Sequence, residues 1–436
     1  MSRSSLCVIA LVLCSPCRGA DAPHDCLRVP AALLGPPGGQ TIAIDSRKGI
    51  GPDEAAVVAV LMSPALKATR DKRGAATAQL IQAGVLPNPQ ISYEKDYTSG
   101  GNLAGTQNGF ASSATWELTS LLPLLPKLAA ARANLRSVDL DVAWEEWQAA
   151  ANAKLAVYRV AAGEQELSAA READEALRDT VVTLRKAEAA NEKTVLDLAA
   201  GESTSEDAHG TVLEFQQDLD KQWLVLKRAL GLEPEAILKL RDGIILPSHL
   251  PVPDGTALSA NVESRRIDLI GLQQGYLSQD ETVRAAVLAE FPKITAGFAR
   301  NTDTTDVHTQ GFVIQVELPL FDRNQGNVAT ERATRQQLKD EYAQRVFEAR
   351  NDIASAIVDI RSLNAQIVAA GEAIPALEKL TAVAQSASTS GDADVLGYYE
   401  ARSNLIQKRL QLIKLEEQLM ETKTALELAS GQFDPR

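Results

Sequence analysis

Leu122-Pro123-Leu124-Leu125 and, 196 residues later, Leu318-Pro319-Leu320-Phe321 are two copies of one short element, and their surroundings decide the fold. Upstream of each lies a helix-like segment, about residues 53–83 and 257–289, followed by a proline break at Pro87-Asn88-Pro89 or at Pro292. Each break opens two alternating runs around a loop rich in Gly, Asn, Thr and Asp, and each pair of runs ends on the Leu-Pro-Leu element. Self-similarity at a fixed offset signals a duplicated architecture. The order helix, strand hairpin, long helix, turn, helix is performed twice.

The runs alternate residue by residue. Ile91, Tyr93, Lys95 and Tyr97 share one face against Gln90, Ser92, Glu94 and Asp96; Phe110, Ala114, Trp116 and Leu118 oppose Ala111, Ser113, Thr115, Glu117 and Thr119. In the second copy Ile294, Ala296 and Phe298 oppose Thr295, Gly297 and Ala299, while Phe312, Ile314, Val316 and Leu318 oppose Gly311, Val313, Gln315 and Glu317. Period-two patterning specifies strands with one apolar and one polar face. A soluble sandwich has the same alternation. Against it, each run is about ten residues, the length a tilted strand needs to cross a bilayer, and the polar faces carry carboxylates and amides suited to a wet lumen. Four strands cannot close a barrel, which needs at least about eight, and lipid tolerates no open sheet edge. The strands must be pooled between chains, and the count alone leaves a dimer of eight and a trimer of twelve both open.

After Pro123 an alanine-rich, glycine-poor stretch runs over about 127–200, and its counterpart over about 327–388. Apolar residues recur at helical spacing, as in Leu128, Leu135, Val138, Val142 and Leu155, or Val346, Ile353, Ile357, Ile360 and Ile367. Helices of 60–75 residues would be roughly 90–110 Å long at 1.5 Å per residue, far beyond a globular domain. Coiled-coil-like packing stabilises such lengths, and small residues such as Ala129, Ala130, Ala131 and Ala133 let helices approach. Gly201-Glu202-Ser203-Thr204-Ser205 and Ser388-Thr389-Ser390-Gly391-Asp392 are expected to break them, with shorter helices returning over about 206–232 and 393–428. The expected fold class is α+β, mainly α, with two strand-plus-helix repeats over 53–232 and 257–431. The β-hairpins are expected within 88–121 and 292–320, and the helical hairpins within 127–232 and 327–428.

The composition agrees. The 436 residues contain only 19 aromatic side chains and 46 Gly or Pro, as long helices require. The formal charge of −13, without any basic patch, sets nucleic acid aside. Cys7, Cys14, Cys17 and Cys26 all fall within the first 26 residues, so no disulfide framework or cysteine metal site is available to the body of the protein. Arg3, the apolar run Leu6 to Leu13 and the small residues Gly19, Ala20 and Ala22 read as an export signal over 1–20. Leu13 before Cys14 and Pro16 before Cys17 fit a lipoprotein signal poorly, so cleavage and lipidation stay open. No later run of about 18 consecutive apolar residues suggests a transmembrane helix.

The duplicated hairpins, the Leu86-Pro-Asn-Pro89 element and above all Leu318-Pro-Leu-Phe-Asp-Arg-Asn-Gln-Gly326 resemble the TolC family of outer-membrane efflux channels, and the last motif is most similar to its heavy-metal branch, the CzcC-like and CusC-like channels. The resemblance covers about residues 53–431. It implies a homotrimer with a twelve-stranded outer-membrane barrel and a helical tunnel through the periplasm, working with a periplasmic adaptor and an inner-membrane pump. It also implies a periplasmic gate: Asp207 falls where the first repeat of the family pattern has a gate aspartate, and Glu400 at an acidic gate position of the second. Ala393 and Gly397 stand where the pattern has a gate arginine and another aspartate, so the family's salt-bridge lock is not expected in its usual form. Glu202, Glu206, Asp392 and Asp394 still concentrate acid at the turns, either as a lumen ring or as solvated helix ends that favour the helix dipole.

Nothing points to catalysis. His24, His209, His249 and His308 show no ligand spacing, and no nucleophile, P-loop or dinucleotide fingerprint is present. Neither a catalytic metal nor a cofactor is expected. The reading is a passive exit duct with Tyr93, Tyr97, Trp116, Phe312 and Ile314 toward lipid, and divalent heavy-metal cations as cargo by resemblance, with organic compounds as the alternative. A periplasmic adaptor would carry one helical hairpin rather than two, and a soluble coiled-coil scaffold would not need four alternating runs.

Overall fold

The computed structural model describes residues 26–30, 41–45, 49–101, 104–390 and 395–432. The export signal over 1–20 lies outside them. Two short strands, β1 (Cys26–Pro30) and β2 (Thr41–Asp45), pair antiparallel at the N-terminal end. Gly49 to Gly51 then lie along Leu240, with Ile50 N–H donating to Lys239 O at 2.9 Å and Arg241 N–H to Ile50 O at 3.0 Å. Gly49 is left-handed at φ 76°, and its missing side chain lets the Leu240 backbone approach.

The first helix-like segment divides into α1 (Pro52–Met62) and α2 (Pro64–Ala83), because Pro64 cannot donate to the preceding turn and Ser63 caps the second helix instead. Strands β3 (Gln90–Asp96) and β4 (Gly109–Glu117) form the first hairpin. The long helix α3 (Leu124–Ala189) has 66 residues, so it is about 100 Å long, and α4 (Val195–Ala229) returns along it. The second half opens with the short α5 (Gly255–Ala260) and α6 (Val262–Arg265) before α7 (Ile267–Leu288). Strands β5 (Lys293–Thr302) and β6 (His308–Glu317), then α8 (Gln325–Ser390) and α9 (Val395–Ser430), repeat the plan.

The first helix break differs from expectation. Gly201 to Ser205 lie inside α4, and the chain turns at residues 190–194, with Asn191 left-handed at φ 59°. The new helix starts from a capping box: Asp197 N–H donates to Thr194 Oγ1 at 3.1 Å, and Thr194 N–H donates back to the Asp197 carboxylate at 2.9 Å. In the second repeat α8 continues through Ser388 and Thr389, and residues 391–394 lie outside the described ones.

All four main strands form one antiparallel sheet in the order β3-β4-β5-β6. The helices pack as a slab in which α2 and α4 lie on α3, α7 and α9 lie between α3 and α8, and α8 ends the row. The core is a series of small clusters along this slab, such as Val57, Val157, Val160, Leu226 and Leu230, and farther along Ile360, Ile367, Leu415 and Leu419. A stretch of α8 is apolar enough, by length and composition alone, to cross a membrane. The sequence reading passed over it because polar residues interrupt it; its Ile360 and Ile367 are buried in a cluster with Leu415 and Leu419 of α9.

Candidate periplasmic gate and membrane face

The ladder fixes which strand residues share a face. Ile91, Ala114, Phe298 and Phe312 form one row, Tyr93, Ser112, Arg300 and Gln310 the next toward the loops, and Trp116, Ala296 and Ile314 the next toward the helices. Directly opposed residues point the same way, so Tyr93, Trp116, Phe312 and Ile314 lie on one face. Tyr97 follows the last ladder residue of β3 and is exposed beside Lys95, whose Nζ lies 5.1 Å from its ring centre. Trp116 is anchored by Nε1–H donating to Pro87 O at 2.8 Å. Phe298 and Phe312 meet edge to face at 6.2 Å. Phe312 and Ile314 are 90% and 73% exposed, an apolar surface that none of the described residues covers. The opposite face carries Glu94, Asp96, Glu117, Gln315 and Glu317, with Lys293 paired to Glu317 at 3.4 Å. Gly297 is required in β5: a Cβ there would strike Ala114 O and Thr115.

At the far end of the slab the two helical hairpins meet in a cluster of Leu177, Leu184, Tyr398 and Tyr399, packed on Leu198, Ala208 and Ala384. Gly201 sits directly under the Tyr399 ring, and a Cβ there would lie 2.5 Å from Tyr399 Oη and 2.8 Å from Leu184 Cδ1. The glycine read as a helix breaker is a packing notch inside a helix. Tyr399 Oη is buried without a hydrogen-bond partner, and that burial, with Tyr398 beside it, pushes the phenol up to about 12.

The sequence-derived gate residues distribute unevenly around this cluster. Asp207 and Glu206 are exposed on α4 and Glu400 is exposed on α9. No hydrogen bond or ion pair joins their carboxylates to each other or to another group among the described residues. Asp392 and Asp394 lie outside the described residues. Glu202 is paired instead with Arg185 of α3 at 2.6 Å.

The ionic contacts between hairpins come from residues the sequence did not single out. Arg409 of α9 reaches Glu378 of α8 at 2.8 Å and Glu172 of α3 at 3.4 Å, and Arg402 Nη2 donates to the Glu172 carbonyl at 3.3 Å. Within the first hairpin, buried Asp174 faces Arg178 Nε at 3.0 Å and His209 Nδ1 at 3.4 Å. Farther along, Glu417 accepts from Lys414 at 2.6 Å and Glu421 pairs with Arg159 at 2.6 Å. Burial, and then the neighbouring Glu417, raise the Glu166 carboxyl above its ordinary range. Where α7 begins, Arg266 makes a bidentate pair with Asp268, at 2.9 and 2.6 Å, and lies over the Trp144 ring at 5.1 Å. Partners such as Arg409 and Glu172 are 237 residues apart, and no sequence spacing announces them. Among the described residues no group of His, Cys, Asp and Glu is arranged to hold a metal.

Comparison with known proteins places this architecture. Residues 251–432 match the family described as outer membrane efflux protein. The cation efflux system protein CusC of Escherichia coli (strain K12) is 25% identical over 389 residues, 82% of each chain. The crystal structure of CusC superposes with a TM-score of 0.73 at 20% identity, covering 96% of this chain and 100% of that one. The outer-membrane channel OprN superposes with a TM-score of 0.76 at 15% identity, covering 88% and 90%, and the outer membrane protein VceC of Vibrio cholerae with 0.72 at 16%, covering 87% and 96%. The chain is thus similar to CusC in sequence over 82% of its length and in fold over 96%, and its second repeat matches the outer membrane efflux protein family.

Proposed function

We propose that three copies close into one duct that passively conducts divalent heavy-metal cations, delivered by an inner-membrane pump and a periplasmic adaptor, across the outer membrane. The observation that carries the assembly is the pair of matching open edges. Strand β3 and helices α2 and α4 end one side of the chain, and β6 and α8 end the other. Such edges satisfy each other head to tail, which gives a closed ring when the rotation closes. Three copies give twelve strands, enough for a barrel with a lumen, and each repeat, 53–232 or 257–431, then supplies one-sixth of it. In this reading Tyr93, Tyr97, Trp116, Phe312 and Ile314 face lipid.

The cation preference rests on the lumen face, where Glu94, Asp96, Glu117 and Glu317 outnumber Lys293, and on the net charge of −13 per chain. Threefold repetition turns each carboxylate into a ring that attracts cations. Asp207, Glu206 and Glu400 would supply such charge at the periplasmic mouth. The name of its relative CusC, a cation efflux protein, points the same way. The test is the mass of the detergent-solubilised protein together with reversal potentials in planar bilayers. A trimer whose cation selectivity falls in Glu94→Gln/Asp96→Asn and Asp207→Asn/Glu400→Gln variants is expected. A monomer would overturn the assembly, and selectivity unchanged in both variants would overturn the carboxylate rings.

A further inference from the structure

The membrane face of the sheet is not uniformly apolar. Phe312, Ile314, Val316 and Leu318 line about 20 Å of strand path at ~3.3 Å per residue. Exposed Leu320 and Phe321 extend this surface toward the helices, and so toward the ~25 Å band expected of an outer-membrane barrel. Toward the loops the same face changes character within one row. Arg300 follows Phe298, Gln310 precedes Phe312, and in the row beyond stand Lys95 and His308. Lys95 is flanked on this face by Tyr93 and Tyr97, both 69% exposed. Aromatic side chains of this kind mark the interface between hydrocarbon and headgroups. The acids of the same strand, Glu94 and Asp96, point to the other face. Arg300 is exposed and makes no ion pair among the described residues.

With the helices in the periplasm, Lys95 and Arg300, in adjacent rows, stand at the outer leaflet. We propose that Lys95 and Arg300 form a docking surface for the phosphates of a bisphosphorylated glycolipid in that leaflet. The proposal rests on the barrel reading above. Lys95 on β3 and Arg300 on β5 are two strands and one row apart, about 12 Å at ~4.8 Å per strand and ~3.3 Å per residue, so one headgroup with two phosphates can engage both. Guanidinium suits the bidentate geometry of phosphate, and ammonium serves as a point charge. His308 on β6 stands in the row of Lys95, with its Nδ1 2.8 Å from Thr302 Oγ1 and its Nε2 3.8 Å from Asp306 Oδ1, so its ring is engaged within the chain. Three copies would give three such sites around the barrel, each anchoring it at a set depth.

The experiment titrates the purified trimer with bisphosphorylated lipid A, its dephosphorylated form and phosphatidylglycerol, and counts bound lipid by native mass spectrometry. The wild type should prefer bisphosphorylated lipid A by about tenfold or more over both other lipids, and Lys95→Gln/Arg300→Gln should lose that preference while remaining trimeric with unchanged conductance. Equal binding of lipid A and phosphatidylglycerol would reduce the surface to general anion attraction and overturn the proposal. Preference retained in the double variant would also overturn it. A wild type that forms no trimer would remove the barrel reading itself.

Discussion

Gly201 illustrates how one residue can be read two ways. In sequence, Gly201-Glu202-Ser203-Thr204-Ser205 is a helix-breaking composition. In the fold its lack of a side chain admits the Tyr399 ring, and the helix persists around it. The two readings predict opposite signs for one substitution. At an exposed helical site Gly→Ala stabilises by about 1 kcal/mol. Here the added methyl meets Tyr399 and Leu184, so Gly201→Ala should destabilise the junction between hairpins by about 1–3 kcal/mol, the usual overpacking cost. In a Tyr399→Ala background the same change should become neutral or stabilising. Thermal unfolding of the four proteins of this cycle measures the coupling, and additive effects would show that the ring does not rest on the glycine.

At the scale of elements, the strands and their faces were legible because alternation is local: each run carries its own period, and the ladder pairs the two runs of each copy as a hairpin, while the β4–β5 pairing that joins the copies had no local signal. The long helices were equally legible from spacing. The first helix break was not, although the signal was present, since Thr194 and Asp197 have the spacing of a capping box and lie seven and four residues before the glycine that drew attention. The contacts that bind α9 to α3 were invisible for a different reason, because tertiary partners far apart in sequence share no local pattern. One such contact makes a pH prediction. Glu166 of α3 is raised chiefly by burial and next by Glu417 of α9, so its neutral form is the one the fold favours. A carboxyl raised on folding contributes stability below its unfolded value, about 4.3, and that contribution is lost as pH rises through the folded value. Glu166→Gln should therefore raise the melting temperature at pH 7–8, with the gain vanishing below about pH 4. Melting curves across that range decide it, and a variant less stable at pH 7 would show that the ionised Glu166 is satisfied by Lys414.

For the whole molecule, the unresolved economy of the fold is its exposed apolar surface. Phe347, Val358, Val368 and Val383 stand exposed along α8 at one edge of the slab, and Leu213, Leu224 and Ile81 along α4 and α2 at the other. A chain of this length seldom leaves two such stripes to water. They lie on the same two sides as the open strand edges, so the contact that would complete the sheet would also cover the helices. A charge placed in the middle of one stripe separates folding from assembly. Val358→Asp lies away from the α8–α9 core of Ile360, Ile367, Leu415 and Leu419, so the helical content measured by circular dichroism should be unchanged. Between copies the same carboxylate would be buried without a partner at a cost of roughly several kcal/mol per site. The mass in detergent should fall from trimer to monomer, and the open strand edges of that monomer should make it prone to aggregate. A Val358→Asp protein that remains a trimer would place the stripe outside the contact between copies, and the helical tunnel would then have to close through another face of the slab.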